Sequence, residues 1–166
     1  MLANGLVRQY SLCGNYADRS RWRIAVLRDP SSRGGSQFIH ASVRTGQRIQ
    51  VAGPRNHFPL IAAERYLFIA GGIGITPILP MLQKASETGT PWTLVYGGRS
   101  RSSMAFLDNI RRYDSGNVFL LPQDECGHID LERFLSRLRP QTAVYCCGPG
   151  PLIDAVETAC QTFPPA

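Results

Sequence analysis

The stretch Y-L-F-I-A-G-G-I-G-I-T-P-I-L-P-M, Tyr66–Met81, decides the fold. From Tyr66 to Ala70 it is a continuous apolar run without alternation, the pattern of a strand covered on both faces. Gly71, Gly72 and Gly74 end that run, and the spacing predicts a helix over Pro77–Ala85. Thr76 suits its N-cap, and Pro77 suits the first helical position, where no N–H is needed. Glycines ahead of a helix N-terminus let a ligand phosphate approach exposed backbone N–H groups and the positive end of the dipole. The spacing departs from G-x-G-x-x-G, because Gly72 and Gly74 fit its first two positions while Pro77 takes the third. Such a turn alone is compatible with a dinucleotide site and with a purely structural bend.

C-terminal to this stretch, β and α patterns alternate. Strands are expected at Trp92–Gly97, Val118–Pro122 and Ala143–Cys147, with helices at Ser103–Arg112, Asp130–Leu138 and Pro151–Thr162. Four apolar strands alternating with four helices read as an open parallel α/β sheet. The last strand runs into V-Y-C-C-G-P-G-P-L-I-D. Ligands in such sheets sit at the carboxyl ends of the strands, so this turn should face the one at Gly71–Gly74 and project Cys147 into the crevice between them. Cys146 and Cys160 read as small buried hydrophobes.

N-terminal to Glu64 the pattern is β-rich. Val7–Cys13, Trp22–Arg28 and Gln47–Ala52 are short apolar or alternating runs separated by Gly, Asn, Asp, Pro and Ser. Arg8 and Tyr10 share a strand face, with Ser11 beside them. An aromatic ring, a cation and a hydroxyl could hold a planar ring with a phosphate chain, although a core tyrosine with a surface arginine reads the same way. The glycine turn Arg33–Ser36 opens a short helix and offers a second anion site.

Charge follows the same division. Of 18 basic residues in 166, only Lys84 is lysine, and the net charge is +6. Residues 1–63 carry +7 and the remainder −1. This asymmetry excludes a uniformly basic nucleic-acid coat and points to a local anion site or docking face. No apolar stretch approaches membrane-span length. The five cysteines form no C-x-x-C and no zinc-ligand spacing, and no secretory h-region opens the chain, so no metal site is expected and a cytoplasmic location is.

The order of motifs is more specific than any one of them. R-Q-Y-S-L, S-R-G-G-S-Q-F-I-H, A-G-P-R-N-H-F, A-G-G-I-G-I-T-P-I-L-P-M, Y-G-G-R-S-R-S-S-M-A-F and Y-C-C-G-P-G-P-L-I follow one another along nearly the whole chain. This order resembles the ferredoxin–NADP reductase superfamily, and within it the phthalate dioxygenase reductase and vanillate demethylase reductase group. The resemblance implies a partial antiparallel flavin-binding β-barrel over residues 1–62, followed by a parallel-sheet NAD-binding α/β domain over 63–166. It implies that Arg8, Tyr10 and Ser11 hold the isoalloxazine and ribityl chain, and that Arg28, Gly34, Gly35 and Ser36 serve the flavin chain and phosphate. The R-G-G-S form points to FMN, whereas many relatives use FAD. Gly71, Gly72, Gly74, Thr76 and Pro77 would line the pyrophosphate and nicotinamide crevice. Cys147, Gly148 and Pro149 would stand near the hydride-transfer position, with Thr76 and Cys147 at the reacting end.

Arg99 and Arg101 follow the second strand, where an acid would bind the ribose 2′-OH and an arginine could accept a 2′-phosphate. Chemistry alone reads them as tolerating NADPH; the family, with a similar R-S-R, is mostly NADH-dependent. The implied activity is a flavin-dependent NAD(P)H oxidoreductase, the reductase component of an aromatic-ring oxygenase or demethylase system. It would pass hydride from NADH to flavin, and electrons onward to a ferredoxin-like domain or oxygenase component. The alternative is a truncated module that binds nicotinamide nucleotide without retaining flavin. The family's cluster-binding cysteine run is absent from these 166 residues, so no iron–sulfur cluster is expected within them. Only three of about six barrel strands are visible, which suggests a fragment or a chain completed by a separate partner.

Overall fold

In the computed structural model, which describes residues 5–113 and 117–162, four parallel strands form one sheet in the order β3-β2-β1-β4. The strands are β1 (Arg65–Gly71), β2 (Trp92–Gly98), β3 (Val118–Pro122) and β4 (Thr142–Cys147). The chain steps outward from β1 to β2 to β3, then crosses back to place β4 on the other side of β1. Strand order therefore reverses beside β1, the position where open α/β sheets bind ligands.

Alternation along each strand builds two cores, one per face. Tyr66, Phe68 and Ala70 of β1 join Leu94 and Tyr96 of β2 and Tyr145 of β4 on one face. Helix α2 (Ile75–Glu87) closes that face with Ile75, Ile78 and Leu82, each fully buried. Leu67, Ile69 and Val95 point to the opposite face, against Leu135 of α5 (Leu131–Leu135) and Val156 of α6 (Gly150–Thr162). Burial on both faces is why β1 and β2 read as unbroken apolar runs. Both α3 (Leu107–Arg111) and α5 are shorter than the sequence predicts, and α4 (Gln123–Cys126) appears where no helix is expected.

One capping expectation is corrected. Gly71 leads into a 3-10 turn, Gly72–Gly74, and α2 begins at Ile75 with Gly74 as its N-cap. Thr76 is thus the second helical residue, not the cap, and its hydroxyl donates to the Ile73 carbonyl at 2.9 Å. Pro77 still lies in the first turn, where its missing N–H has no intrahelical partner to lose.

Residues 5–63 differ from the expectation of a three-stranded half-barrel. Much of this region has no regular secondary structure, and within it the only bridge joins Leu12 to Ile24. A sheet requires neighbours in register, and Val7–Cys13, Trp22–Arg28 and Gln47–Ala52 do not form a ladder with one another. Helix α1 (Gly35–Ser42) does form. The region attaches to the α2 face of the sheet: Cys13 is buried in that core, with Ala25, Leu60 and Ala63 packed against it. Tyr16 donates to Glu87, and Gln83 donates to Asn15 at 3.0 Å. The Tyr145 hydroxyl donates to the Pro59 carbonyl at 3.0 Å and accepts from the Ile61 amide at 2.7 Å. Tyr66 donates to the Ile61 carbonyl at 2.8 Å.

Candidate functional site

The turns after β1 and β4 interlock. Pairing of β1 with β4 sets Ala70 beside Cys147, which brings Gly71 against Gly148. A Cβ at Gly148 would stand 3.1 Å from the Gly71 Cα, and one at Gly71 would stand 2.8 Å from Pro149 Cδ and 2.7 Å from Leu152 Cδ2. A Cβ at Gly74 would overlap the carbonyl of Cys147. Backbone thus touches backbone between the two turns, an approach that only glycine permits. Gly97 of β2 pairs with Gly71, so a third glycine stands at the same level of the sheet edge.

Gly72 is different from its neighbours. Its φ is +52°, and the place a Cβ would occupy has nothing within 4 Å. Here the backbone is open, directly ahead of a thirteen-residue helix that carries no acid in its first turn. The Ile75 N–H is taken by the Gly72 and Ile73 carbonyls of the 3-10 turn, so what favours an anionic group there is the open backbone at Gly72 and the positive end of the helix dipole. Gly71 and Gly74 thus lie against Cys147, Gly148 and Pro149, so the two turns face one another, with Gly72, Thr76 and Pro77 following along the β1 turn and the first turn of α2.

Cys147 is half-buried at the end of β4, and burial pushes its thiol above the ordinary value. It therefore stays protonated at neutral pH, whereas a nucleophilic cysteine needs the thiolate. Cys146 and Cys160 are half-buried against the second core and not fully buried as expected, and burial pushes the Cys146 thiol up to about 11. Among the described residues, no group of three His, Cys, Asp or Glu side chains could hold a metal ion.

Arg99 and Arg101 lie just past β2 at the same carboxyl edge, both exposed. A short 3-10 turn, Arg101–Ser103, is fixed by reciprocal bonds between Ser100 and Ser103. Arg101 is engaged by a residue that the sequence reading missed. Its Nη2 donates to Glu125 Oε2 at 3.0 Å and its Nε to Oε1 at 3.2 Å. The signal for Glu125 was its place immediately after β3, at the same edge of a parallel sheet.

In the first third, Arg8, Gly34, Gly35 and Ser36 converge. Arg8 Nη2 donates to the Arg33 carbonyl at 3.0 Å, and its side chain lies where a Cβ on Gly35 would stand, 2.6 Å from Nε. Gly34 has φ +84° and precedes α1 without any side-chain cap. Ser36 is buried, and its hydroxyl accepts from the Asp29 amide at 3.2 Å, drawing the segment after Arg28 to the turn. Arg8 and Tyr10 are half-buried with Gln9 and Ser11 exposed, so the alternation survives without a strand ladder. Arg28 is exposed. A cation over an uncapped helix start fits a phosphate group.

Comparison with known proteins places the chain in a family. Residues 68–121 match the oxidoreductase NAD-binding domain family. The chain is 42% identical over 166 residues to phenoxybenzoate dioxygenase subunit beta of Ectopseudomonas oleovorans, covering 99% of this chain and 52% of that protein. It is 39% identical over 158 residues to vanillate O-demethylase oxidoreductase of Pseudomonas putida, covering 93% and 50%. Phthalate dioxygenase reductase, a solved structure described as modular for electron transfer from pyridine nucleotides to a 2Fe–2S centre, superposes with a TM-score of 0.91. That match has 34% identity and covers 98% of this chain and 52% of that one. The chain spans about half the length of the curated relatives it matches. It belongs to the ferredoxin reductase superfamily, alongside the reductases of oxygenase and demethylase systems.

Proposed function

We propose that this chain is a flavin-dependent NAD(P)H oxidoreductase, the reductase component of an aromatic-ring oxygenase or demethylase system. The observation that carries the reading is the glycine-lined crevice where the β1 and β4 turns interlock beside the reversal of strand order. Residues 63–166 serve as the nicotinamide nucleotide domain and residues 1–62 as part of a flavin-binding domain. When bound, the nicotinamide supplies a hydride, and the flavin accepts it and releases electrons singly.

The chain's own residues then position and exclude. Gly71, Gly72 and Gly74 present backbone to a pyrophosphate, and Gly72 is the open member of the three. Thr76 acts through the Ile73 carbonyl, holding the 3-10 turn that aims those N–H groups; it is a positioning residue. Cys147, kept neutral by burial, contacts the nicotinamide end with Gly148 and Pro149 and gates access to it. Hydride transfer needs close alignment of the reacting atoms and no side-chain acid or base.

Arg8 and the Gly34–Ser36 turn hold one phosphate, which suits FMN better than a dinucleotide flavin. Tyr10 and Ser11 face the ring system and ribityl chain, and Arg28 the phosphate. Electrons leave to a ferredoxin-like iron–sulfur domain or to the oxygenase component. The five cysteines stand free, which suits a reducing, cytoplasmic setting. No described helix is long and apolar enough to cross a membrane.

A second reading is a module that binds nicotinamide nucleotide but does not retain flavin. It is favoured by the single bridge, Leu12 with Ile24, in the first third. Adding FMN to the full chain separates the two. A yellow protein that survives gel filtration and oxidises NADH with an artificial acceptor supports the reductase. Colourless protein that still binds NADH leaves only the module. Ser36→Asp places a carboxylate at the proposed phosphate and should weaken FMN binding about tenfold or more, the scale of one lost charge-assisted hydrogen bond; unchanged FMN affinity contradicts that placement.

A further inference from the structure

The bidentate pair between Arg101 and Glu125 lies at the end of β2, where a nucleotide's adenine ribose is selected in sheets of this kind. We infer that Glu125 is a specificity-determining residue, which turns the site toward NADH by occupying the guanidinium that would otherwise receive a 2′-phosphate. The inference rests on the nicotinamide-nucleotide reading of the crevice.

Three observations build it. First, Arg101 directs Nη2 and Nε together onto one carboxylate, at 3.0 and 3.2 Å. A planar guanidinium recognises phosphate through the same forked geometry, so carboxylate and 2′-phosphate compete for it. Second, the arrangement is pinned. The Asp124 amide donates to the Arg99 carbonyl at 3.1 Å, which ties α4 to the end of β2. Ser100 and Ser103 fix the turn that carries Arg101. Glu125 is thus held against Arg101 by backbone as well as by charge.

Third, the two partners bias one another's protonation. The Arg101 guanidinium holds the Glu125 carboxyl below the usual carboxylate range, and Glu125 pushes Arg101 up. Glu125 is therefore an anion at any physiological pH. It repels the roughly dianionic 2′-phosphate and imposes no comparable repulsion on a neutral 2′-hydroxyl. Arg101 and Glu125 are 48% and 49% exposed, so the pair contributes little to folding and can be removed without unfolding the chain. Arg99, exposed two residues earlier, is left as the cation for any residual NADPH binding.

The test is equilibrium binding of NADH and of NADPH to the full chain, followed by nicotinamide fluorescence, with no turnover required. The wild type should bind NADH more tightly. Glu125→Gln should tighten NADPH about tenfold relative to NADH, the scale of a released charge-assisted hydrogen bond. In the double variant Arg101→Gln, Glu125→Gln that gain should vanish, because the guanidinium that Glu125 released is gone. An unchanged NADPH-to-NADH ratio in Glu125→Gln overturns the inference, as does a gain that persists without Arg101. A wild type that prefers NADPH also overturns it. Binding of neither nucleotide overturns the underlying site reading and this inference with it, whereas NADH binding with an unmoved ratio overturns the inference alone.

Discussion

Residues 5–63 and 64–162 are made of similar material and have different fates. Ten large apolar side chains, from Val7 to Ile61, stand exposed among the described residues, and all ten lie in the first region. In the second, Phe68, Ile69, Leu94, Val95 and Tyr96 are completely buried. Both regions hold apolar segments. What separates them is neighbours: β1 has a hydrogen-bonded strand on each side and helices over each face, while Leu12 and Ile24 share a single bridge. Apolar residues in extended backbone become a core only when layers exist to receive them.

The two tryptophans report on the two regions separately, because Trp92 is buried and Trp22 is 54% exposed. The largest expected effect is Phe68→Ala. Removing a fully buried ring between β2 and β4 should cost about 3–5 kcal/mol, read as a lower urea midpoint in Trp92 emission. A cost below about 1 kcal/mol would place Phe68 outside a packed core.

Next comes Gly74→Ala. The new methyl meets the Cys147 backbone and no flexible side chain could give way, so destabilisation of about 1–3 kcal/mol is expected, together with loss of nucleotide binding. Gly72→Ala meets no protein atom and only its positive φ opposes it in the fold, although its methyl would stand where the proposed phosphate approaches. Equal losses of stability from the two would dissolve the distinction drawn between an interlocked and an open glycine.

A pH profile sharpens the comparison further. Burial pushes the Cys146 thiol from about 9 to about 11. The unfolded chain therefore loses this proton before the folded chain does, and the unfolded state gains free energy advantage as pH rises. Stability of the α/β region, full below pH 9, should fall between pH 9 and 11. Cys146→Ala should flatten that slope relative to wild type, and an unaltered slope would assign it to other groups. Tyr96, pushed up to about 12 by burial, prolongs the decline above pH 10. The smallest effect belongs to the first region. Leu27→Ala, at an exposed position, should change the midpoint by no more than about 0.5 kcal/mol; a larger loss would show that Leu27 is packed in solution.

The α/β half was legible because its information is local. Each unbroken apolar run announces a doubly covered strand, and Gly71–Pro77 announces the turn that follows. The facing of Gly71 and Gly148 followed from the rule that parallel strands end at one edge. The 3-10 turn at Gly72–Gly74 was not legible, because Thr76 and Pro77 suit a helix start equally well as N-cap and first residue or as second and third residues. Nor was the first third's lack of a ladder, since alternation at Arg8 and Tyr10 specifies a face without naming a partner strand. Glu125 escaped notice because its significance is a long-range pairing with Arg101, twenty-four positions away.

The row formed by Gly71, Gly97 and Gly148 has a consequence for redesign. Positions without side chains cannot be tuned by exchanging side chains, and here any addition strikes a neighbouring strand end, turn or side chain. The row is therefore poor ground for redesign: a side chain added there must first displace a neighbour, which costs stability before it alters preference. Any library meant to change which nucleotide this scaffold accepts belongs on the flanks, at Arg99–Ser103 and Gln123–Cys126, where side chains meet solvent and backbone is already secured.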